Sequence, residues 1–275
     1  MVLERKNTGM FDEHGKRERD MLMLEGKVAI ITGAGSGMGR SMAQIFSTQG
    51  AKIVAADWNQ ESLDGIVAEL RDAGRDVVGV QGDVSKREDC ERIVKSAVDT
   101  FGRLDVLCNN AGVMDLNQGV AELEDEMWNR VMGINVYGPM CLTRAAVPEM
   151  IKGGGGSIVN SGSVAGQGGA AAGAAYTVSK HALKGLTRST AYIYAHDGIR
   201  CNLIAIGAVE TNIMQSIDPT KMDPKASERL QKWYGMIPWQ LKPEDIAHVA
   251  LFLASGEAKG INGAVLATDA GWTSA

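Results

Sequence analysis

Seven short apolar runs punctuate the chain, near residues 28–32, 52–56, 77–81, 104–108, 157–161, 200–204 and 264–268. Their length and β-type composition predict strands. Between them, apolar residues recur at three- and four-residue intervals near 38–49, 60–73, 86–101, 121–151, 175–196 and 243–255, which predicts helices with one buried stripe. Regular alternation of strand and helix predicts an α/β fold: a parallel sheet of about seven strands, doubly wound, with helices on both faces. Right-handed crossovers place the ligands of such a sheet at the carboxyl ends of its strands. No internal repeat is visible, and the loop at 162–175 is rich in Gly and Ala.

The first run leads directly into glycines, KVAIITGAGSGMGR over residues 27–40. Glycine loses more backbone freedom on folding than any other residue, so a cluster of four points to a need for bare main chain. Lying between a strand and a helix, the cluster predicts a phosphate cradle, in which backbone N–H groups at a helix N-terminus face an anion. A nucleoside-triphosphate loop would require Gly-Lys-Ser/Thr at its end, where this chain has Gly39-Arg40-Ser41. G-x-G-x-x-G is not matched either, because Met38 and Arg40 occupy the positions of a third glycine. What is present is T-G-x-x-x-G-x-G, with Thr32, Gly33, Gly37 and Gly39. Asp57, 18 residues beyond Gly39, ends the second run, where a carboxylate can accept both hydroxyls of an adenosine ribose and repel a 2′-phosphate. Trp58 and Asn59 follow it and bring no positive charge. The predicted cofactor is therefore NAD(H) rather than NADP(H), in a Rossmann-type domain.

The chain has 275 residues and a net charge of -5, with no basic cluster beyond the first twenty residues, which argues against nucleic acid as the main partner. Its apolar runs are too short for a membrane span. Cys90, Cys108, Cys141 and Cys201 include no C-x-x-C pair and read as reduced, buried thiols of a cytoplasmic protein. The four histidines show no metal-ligand spacing, so no metal is expected. Residues 1–20 carry ten charged side chains and no periodicity, and are expected to be a disordered extension before a catalytic domain over 21–275. A start at Met21 is the alternative.

Tyr176 and Lys180 are four residues apart at the start of a predicted helix and so share one face. A phenol that titrates near 10 is a poor base at neutrality; lowering it by about three units requires roughly 4 kcal/mol of preference for the phenolate, which a nearby ammonium and a cationic nicotinamide could supply. Ser163, thirteen residues before Tyr176 and just past the fifth run, could hold a substrate oxygen beside the tyrosine. Ser161 is its rival.

Together these stretches resemble the short-chain dehydrogenase/reductase family over residues 26 to 271. Thr32-Gly33-Ala34-Gly35-Ser36-Gly37-Met38-Gly39 is similar to its cofactor glycine motif, and Asn109-Asn110-Ala111-Gly112 to its N-N-A-G after the fourth strand. The resemblance implies that Asp83 and Val84 meet the adenine, that Ser36 and Met38 belong to the cofactor loop, and that Val209 and Thr211 lie against the carboxamide. It also implies that Asn135, Ser163, Tyr176 and Lys180 form the catalytic tetrad, with Asn135 supporting a water relay to the lysine. The cofactor set on this reading is Gly33, Ser36, Gly37, Met38, Gly39, Asp57, Trp58, Asp83, Val84, Asn109, Ala111, Gly112, Tyr176, Lys180, Val209 and Thr211. Two positions depart from the pattern: Ile206-Gly207 stands for the usual Pro-Gly, and Asp269-Ala270-Gly271 for Asp-Gly-Gly.

The implied activity is hydride transfer between a nicotinamide and a secondary alcohol or ketone, in a homotetramer built on the helices at 121–151 and 175–196. The family's substrate lid corresponds to about 208–242, which contains Met214, Ile217, Met222, Leu230, Trp233, Tyr234, Met236, Ile237 and Trp239. Such a lid suits a bulky apolar substrate, steroid- or bile-acid-like or a cyclic alcohol. The same residues could instead pack the lid on its own core or on a neighbouring subunit. A non-catalytic NAD(H)-binding redox sensor is the alternative function.

Overall fold

A computed structural model describes residues 22–211, 213 and 217–274. The charged segment 1–20 and Met214, both singled out above, lie outside the described residues. Seven strands, β1 (Val28–Thr32), β2 (Lys52–Asp57), β3 (Val77–Gln81), β4 (Val106–Asn109), β5 (Gly156–Ser161), β6 (Ile199–Ile206) and β7 (Val265–Thr268), form one sheet in the order β3-β2-β1-β4-β5-β6-β7. Every pairing is parallel. The chain winds outward from β1 in one direction and from β4 in the other, so the crevice at their carboxyl ends is the switch point at which such sheets bind ligands.

Both faces of the sheet are buried, as the continuous apolar runs require. On β1, Ala29 and Ile31 face a core shared with Met42 and Phe46 of α1 (Gly37–Thr48) and Ile246 and Leu251 of α8 (Pro243–Ala254). The alternate residues Val28 and Ile30 face a second core with Ile93 of α3 (Arg87–Phe101) and Leu142 and Met150 of α5 (Gly138–Lys152). α2 (Gln60–Asp72) covers the sheet beside β2 and β3 with Leu63 and Ile66, and α6 (Ala174–Ile193) crosses from β5 to β6.

The predicted helix at 121–151 is in fact two helices. α4 (Asp125–Met132) runs into a π-helical turn (Gly133–Tyr137), and α5 begins at Gly138. Pro139 has no N–H to give to the carbonyl four residues before it, which is that of Asn135, so the regular ladder cannot continue through this point. The lid also contains a helix that its apolar residues did not announce, α7 (Pro224–Tyr234), capped by the Asp223 side chain with proline at its first position.

Asp105 ties the start of β1 to β4. It is buried, accepts the Val28 N–H at 3.0 Å, and is ion-paired with Arg103 at 2.6 Å and Lys27 at 3.2 Å. Burial works to raise its carboxyl, but Arg103, the Val28 N–H and Lys27 prevail and hold it below the usual range. Asp105→Ala should lower the free energy of unfolding by about 2 kcal/mol at pH 7, read from the urea midpoint, because it strands the buried Val28 N–H and removes the carboxylate that the half-exposed Arg103 and Lys27 pair with. A carboxylate lowered on folding stabilises above its unfolded pKa and loses that contribution as pH falls through the folded one. The difference between variant and parent should therefore narrow in acid.

Candidate active site

The glycine loop leaves β1 and enters α1. Gly33 and Gly37 have φ of +67° and +49°, in the left-handed region that favours glycine. The other two glycines are required by the protein's own packing: a Cβ on Gly39 would lie 2.1 Å from the Gly33 carbonyl oxygen, and one on Gly35 would lie 2.7 Å from Cβ of Ser62. Packing within the chain thus accounts for Gly35 and Gly39, and Gly37 is the position whose surroundings stay open apart from Thr211 at 3.4 Å. Ser36 is exposed at the N-cap of α1, yet its side chain makes no capping bond, and the first turn of α1 contains no acidic residue. Among the described residues no side chain compensates the N–H groups and positive dipole end of α1, as a phosphate site requires. Met38 packs on the core instead.

Asp57 closes the other side of this loop. Its Oδ2 accepts the Gly35 N–H at 2.8 Å and its Oδ1 accepts the Asn59 N–H at 2.9 Å. A carboxylate has about four acceptor positions, so two remain for ribose hydroxyls. Trp58, 74% exposed, stands free beside it. Arg40, on α1, is ion-paired with Glu69 of α2. Asp83 holds Ser85 through Oδ1, and Val84 is buried against Gly138. This loop, the carboxylate at the tip of β2 and the open α1 terminus fit a dinucleotide.

Thr32 anchors the segment after β4 from beneath. Its Oγ1 accepts the N–H groups of Asn110 at 3.0 Å and Ala111 at 3.1 Å, while Asn110 Nδ2 donates to the Thr32 carbonyl at 2.9 Å. The Asn109 side chain is turned into the interior, donating to Asn160 Oδ1 at 2.8 Å. Gly112 lies near two expected catalytic residues: a Cβ there would be 3.4 Å from Asn135 Oδ1 and 3.7 Å from Lys180 Nζ. Asn135, held inward by the π turn, makes two hydrogen bonds with the Val113 backbone, accepting its N–H and donating to its carbonyl, each at 2.9 Å, and donates to Ser179 Oγ at 3.2 Å. Its side chain is therefore committed to fixing the backbone beside Lys180.

Tyr176 and Lys180 share one face of α6, with Nζ 5.3 Å from the centre of the phenol ring, and both are buried. The two serines take different parts. Ser161 turns its hydroxyl to Asn110 Oδ1 at 3.3 Å and offers its carbonyl to Lys180 Nζ at 2.8 Å. Ser163 is the hydroxyl that acts on Tyr176, lowering its pKa by hydrogen bonding. The chain's own groups do not by themselves lower the phenol. Burial pushes the Tyr176 phenol up to about 12, with the Ser163 hydroxyl pulling against it and the charges of Asp115 and Tyr234 adding to the rise, and burial pushes Lys180 down to about 8. Spacing foresaw that the two side chains meet, but not that both would be dehydrated.

At the far edge, Val209 pairs with Leu241, and Thr211 lies against Gly37, bringing the start of the lid to the cofactor loop. Ile206, in place of proline, is buried in the core, and Gly207 packs so closely on Asp269 that a Cβ would lie 2.7 Å from its Cα. Ala270 takes a glycine's conformation, φ +58°. The apolar lid residues divide: Ile217 and Leu230 are buried, Trp233 and Tyr234 pack against Trp272, and Met236 and Trp239 are exposed. All four cysteines are buried and unpaired. Among the described residues no helix is long and apolar enough to cross a membrane.

A family model described as enoyl-(acyl carrier protein) reductase matches residues 33–273. The chain is 41% identical over 252 residues to 3beta-hydroxysteroid dehydrogenase 2 of Eggerthella lenta, covering 91% of this chain and 96% of that protein. Among solved structures, one described as a short-chain dehydrogenase/reductase from Burkholderia xenovorans superposes with a TM-score of 0.82 at 30% identity, covering 92% of this chain and 98% of that one. Another, described as an NAD(P)-dependent gluconate 5-dehydrogenase from Beutenbergia cavernae with NADP bound at low occupancy, gives 0.81 at 32% identity, covering 93% and 100%.

Proposed function

The chain belongs to the short-chain dehydrogenase/reductase family, and we propose that it interconverts a secondary alcohol and a ketone with NAD(H), on a bulky apolar substrate of steroid, bile-acid or cyclic-alcohol type. The observation that carries the reading is the convergence of Tyr176 and Lys180, on the first turns of α6, with Ser163, just past the carboxyl end of β5, two strands from the β1 that leads into the glycine loop. When bound, the nicotinamide supplies the hydride donor or acceptor. Tyr176 exchanges the proton at the substrate oxygen: its phenol gives the proton in ketone reduction, and its phenolate takes it in alcohol oxidation. Ser163 donates to that oxygen where charge develops. Lys180, fixed by the Ser161 carbonyl, faces the tyrosine ring with an ammonium that favours the phenolate. The remaining cofactor-binding assignments, including Ala111, Gly112, Val209 and Thr211, belong to this same proposal.

NAD(H) is favoured by Asp57 at the tip of β2 and by the engagement of Arg40 with Glu69, which leave a 2′-phosphate next to a carboxylate and without a free cation from these positions. The apolar substrate is favoured by the steroid activity named for the Eggerthella relative and by the exposed Met236 and Trp239 of the lid. A cytoplasmic homotetramer belongs to the same proposal, supported by the apolar side chains that α4, α5 and α6 leave exposed, among them Trp128, Val178 and Tyr192.

Mixing the protein with NAD+ and a panel of hydroxysteroids and cyclic secondary alcohols should give reduced-cofactor absorbance at 340 nm. NADP+ should support the same reaction at least about tenfold less efficiently, a difference of about 1.4 kcal/mol. Better turnover with NADP+ would overturn the Asp57 argument. Tight NAD(H) binding with no turnover across the panel would favour the redox sensor.

A further inference from the structure

We propose that Asp115 is a positioning residue for this reaction, clamping the first turn of α6 from the loop after β4 so that Tyr176 is presented at one place, while the same loop docks the lid helix α7. The inference rests on the reading of Tyr176 as the acid–base group.

Four N–H groups at the start of any helix lack intrahelical partners, and a side chain at the N-cap usually accepts one of them. In α6 the N-cap is Gly173, which has no side chain to do so, and the first turn contains no acidic residue. Asp115 takes the place of the missing cap from about sixty residues away in the chain. It is fully buried; Oδ2 accepts the Tyr176 N–H at 2.9 Å, and Oδ1 accepts the N–H groups of Gly173 and Asn117, each at 3.1 Å. The fit admits only glycine at 173, where a Cβ would lie 2.6 and 2.7 Å from the two carboxylate oxygens. Thus the backbone of the proposed catalytic tyrosine is itself one of the groups the carboxylate grips.

The rest of the loop reaches both α6 and the lid. The Gln118 carbonyl accepts the Ala174 N–H at 2.9 Å, and the Leu116 carbonyl accepts the Asp223 N–H at 3.0 Å, at the N-cap of α7. Asn117, held at φ +56°, donates to Ser227 Oγ at 3.4 Å, and Tyr234 at the other end of α7 donates to the Ala171 carbonyl at 3.3 Å. A docked α7 and a gripped α6 therefore share residues 115–118 as their joint. The carboxylate also acts through its charge. The groups facing Tyr176 are Ser163 after β5, Lys180 on α6, Tyr234 on α7 and Asp115; burial raises the Asp115 carboxyl itself, against the N–H groups of Tyr176, Asn117 and Gly173, and its negative charge when ionised raises both tyrosines.

The test measures kcat for alcohol oxidation against pH, with NADH affinity followed by fluorescence, for the parent, Asp115→Asn and Tyr176→Phe. Asp115→Asn keeps one acceptor, loses the other, and removes the anion. Its kcat should fall about ten- to a hundredfold, as expected for a displaced catalytic group, with NADH affinity unchanged. The rising limb of its pH profile should move to lower pH, which a merely structural defect would not produce. A limb that superposes on the parent's would overturn the proposal. If Asp115→Asn does not fold, Gly173→Ala, which keeps the charge but displaces the carboxylate, should lower kcat with no acid shift; parental kcat there would overturn the proposal equally. Parental turnover in Tyr176→Phe would instead remove the functional reading itself. A dead Tyr176→Phe with an unmoved Asp115→Asn limb would remove only the role of Asp115.

Discussion

Tyr176→Phe is expected to bind NADH like the parent and to lose about three orders of magnitude in kcat, the scale of a missing general acid–base group. The substitution is clean because of where the ring sits. Its body packs on Ala165 and Ala172, with Met114 and Ala171 alongside, and phenylalanine occupies the same space. Only the hydroxyl is removed, and with it a buried polar group, so unfolding measurements should show little or no loss of stability. The pH dependence gives a second signature. The protein's own groups push this phenol up to about 12, burial first, so at neutrality it holds its proton and is ready to donate to a ketone. Alcohol oxidation needs the phenolate and should accelerate as pH rises, a limb that disappears in the phenylalanine variant. If the variant kept both its turnover and its alkaline limb, another group would be moving the proton.

The sequence discloses the scaffold more fully than the electrostatics. Strands buried on both faces appear as uninterrupted apolar runs, and the observed strands lie within two residues of the runs that predicted them. The pairing of Tyr176 with Lys180 needed only the spacing of a helix turn. The apolar stripe over 121–151 continues through the π turn and so reads as one helix, although Pro139 carries the signal of the break. Helix α7 was likewise announced by Asp223-Pro224, a cap followed by a first-position proline, inside a segment whose methionines and tryptophans drew attention to a ligand. Asp115 left no local trace. Besides the Asn117 N–H, its partners are backbone N–H groups 58 and 61 residues away, and the absence of a side chain at Gly173 is intelligible only once the carboxylate that takes its place is seen. The direction of the tyrosine's shift was illegible for a related reason: spacing reports which groups meet, whereas a pKa also depends on how much water the rest of the fold excludes.

Lys180→Met should abolish most of the activity and yet make the protein more stable at pH 7. Nζ is buried, and its one hydrogen-bond acceptor among the described residues is the Ser161 carbonyl at 2.8 Å, one partner for an ammonium with three donors. Burial lowers the lysine from 10.5 to about 8, so keeping it charged in the folded state at neutrality costs roughly 3 kcal/mol. Methionine fills much of the same volume without that cost but leaves the Ser161 carbonyl without its donor, a loss of about 1 kcal/mol or more. The net gain at pH 7 should therefore be about 1–2 kcal/mol in urea unfolding. The sign with pH follows from the lowered folded value: between about 8 and 10.5 the unfolded chain binds the proton that the folded chain has released, so the parent gains stability as pH rises through this window. Methionine does not titrate, and its advantage should shrink across the same interval. Turnover should move the other way, falling by a hundredfold or more at about neutral pH, because the ammonium beside the Tyr176 ring is the chain's own cation favouring the phenolate. A variant both less active and less stable at pH 7 would show that the lysine's packing and its bond to Ser161 outweigh its dehydration. One that kept the parent's activity would show that a neutral side chain suffices at this position. A dead but stabilised enzyme would locate in one side chain the conflict between holding a charge in a dry site and using it there.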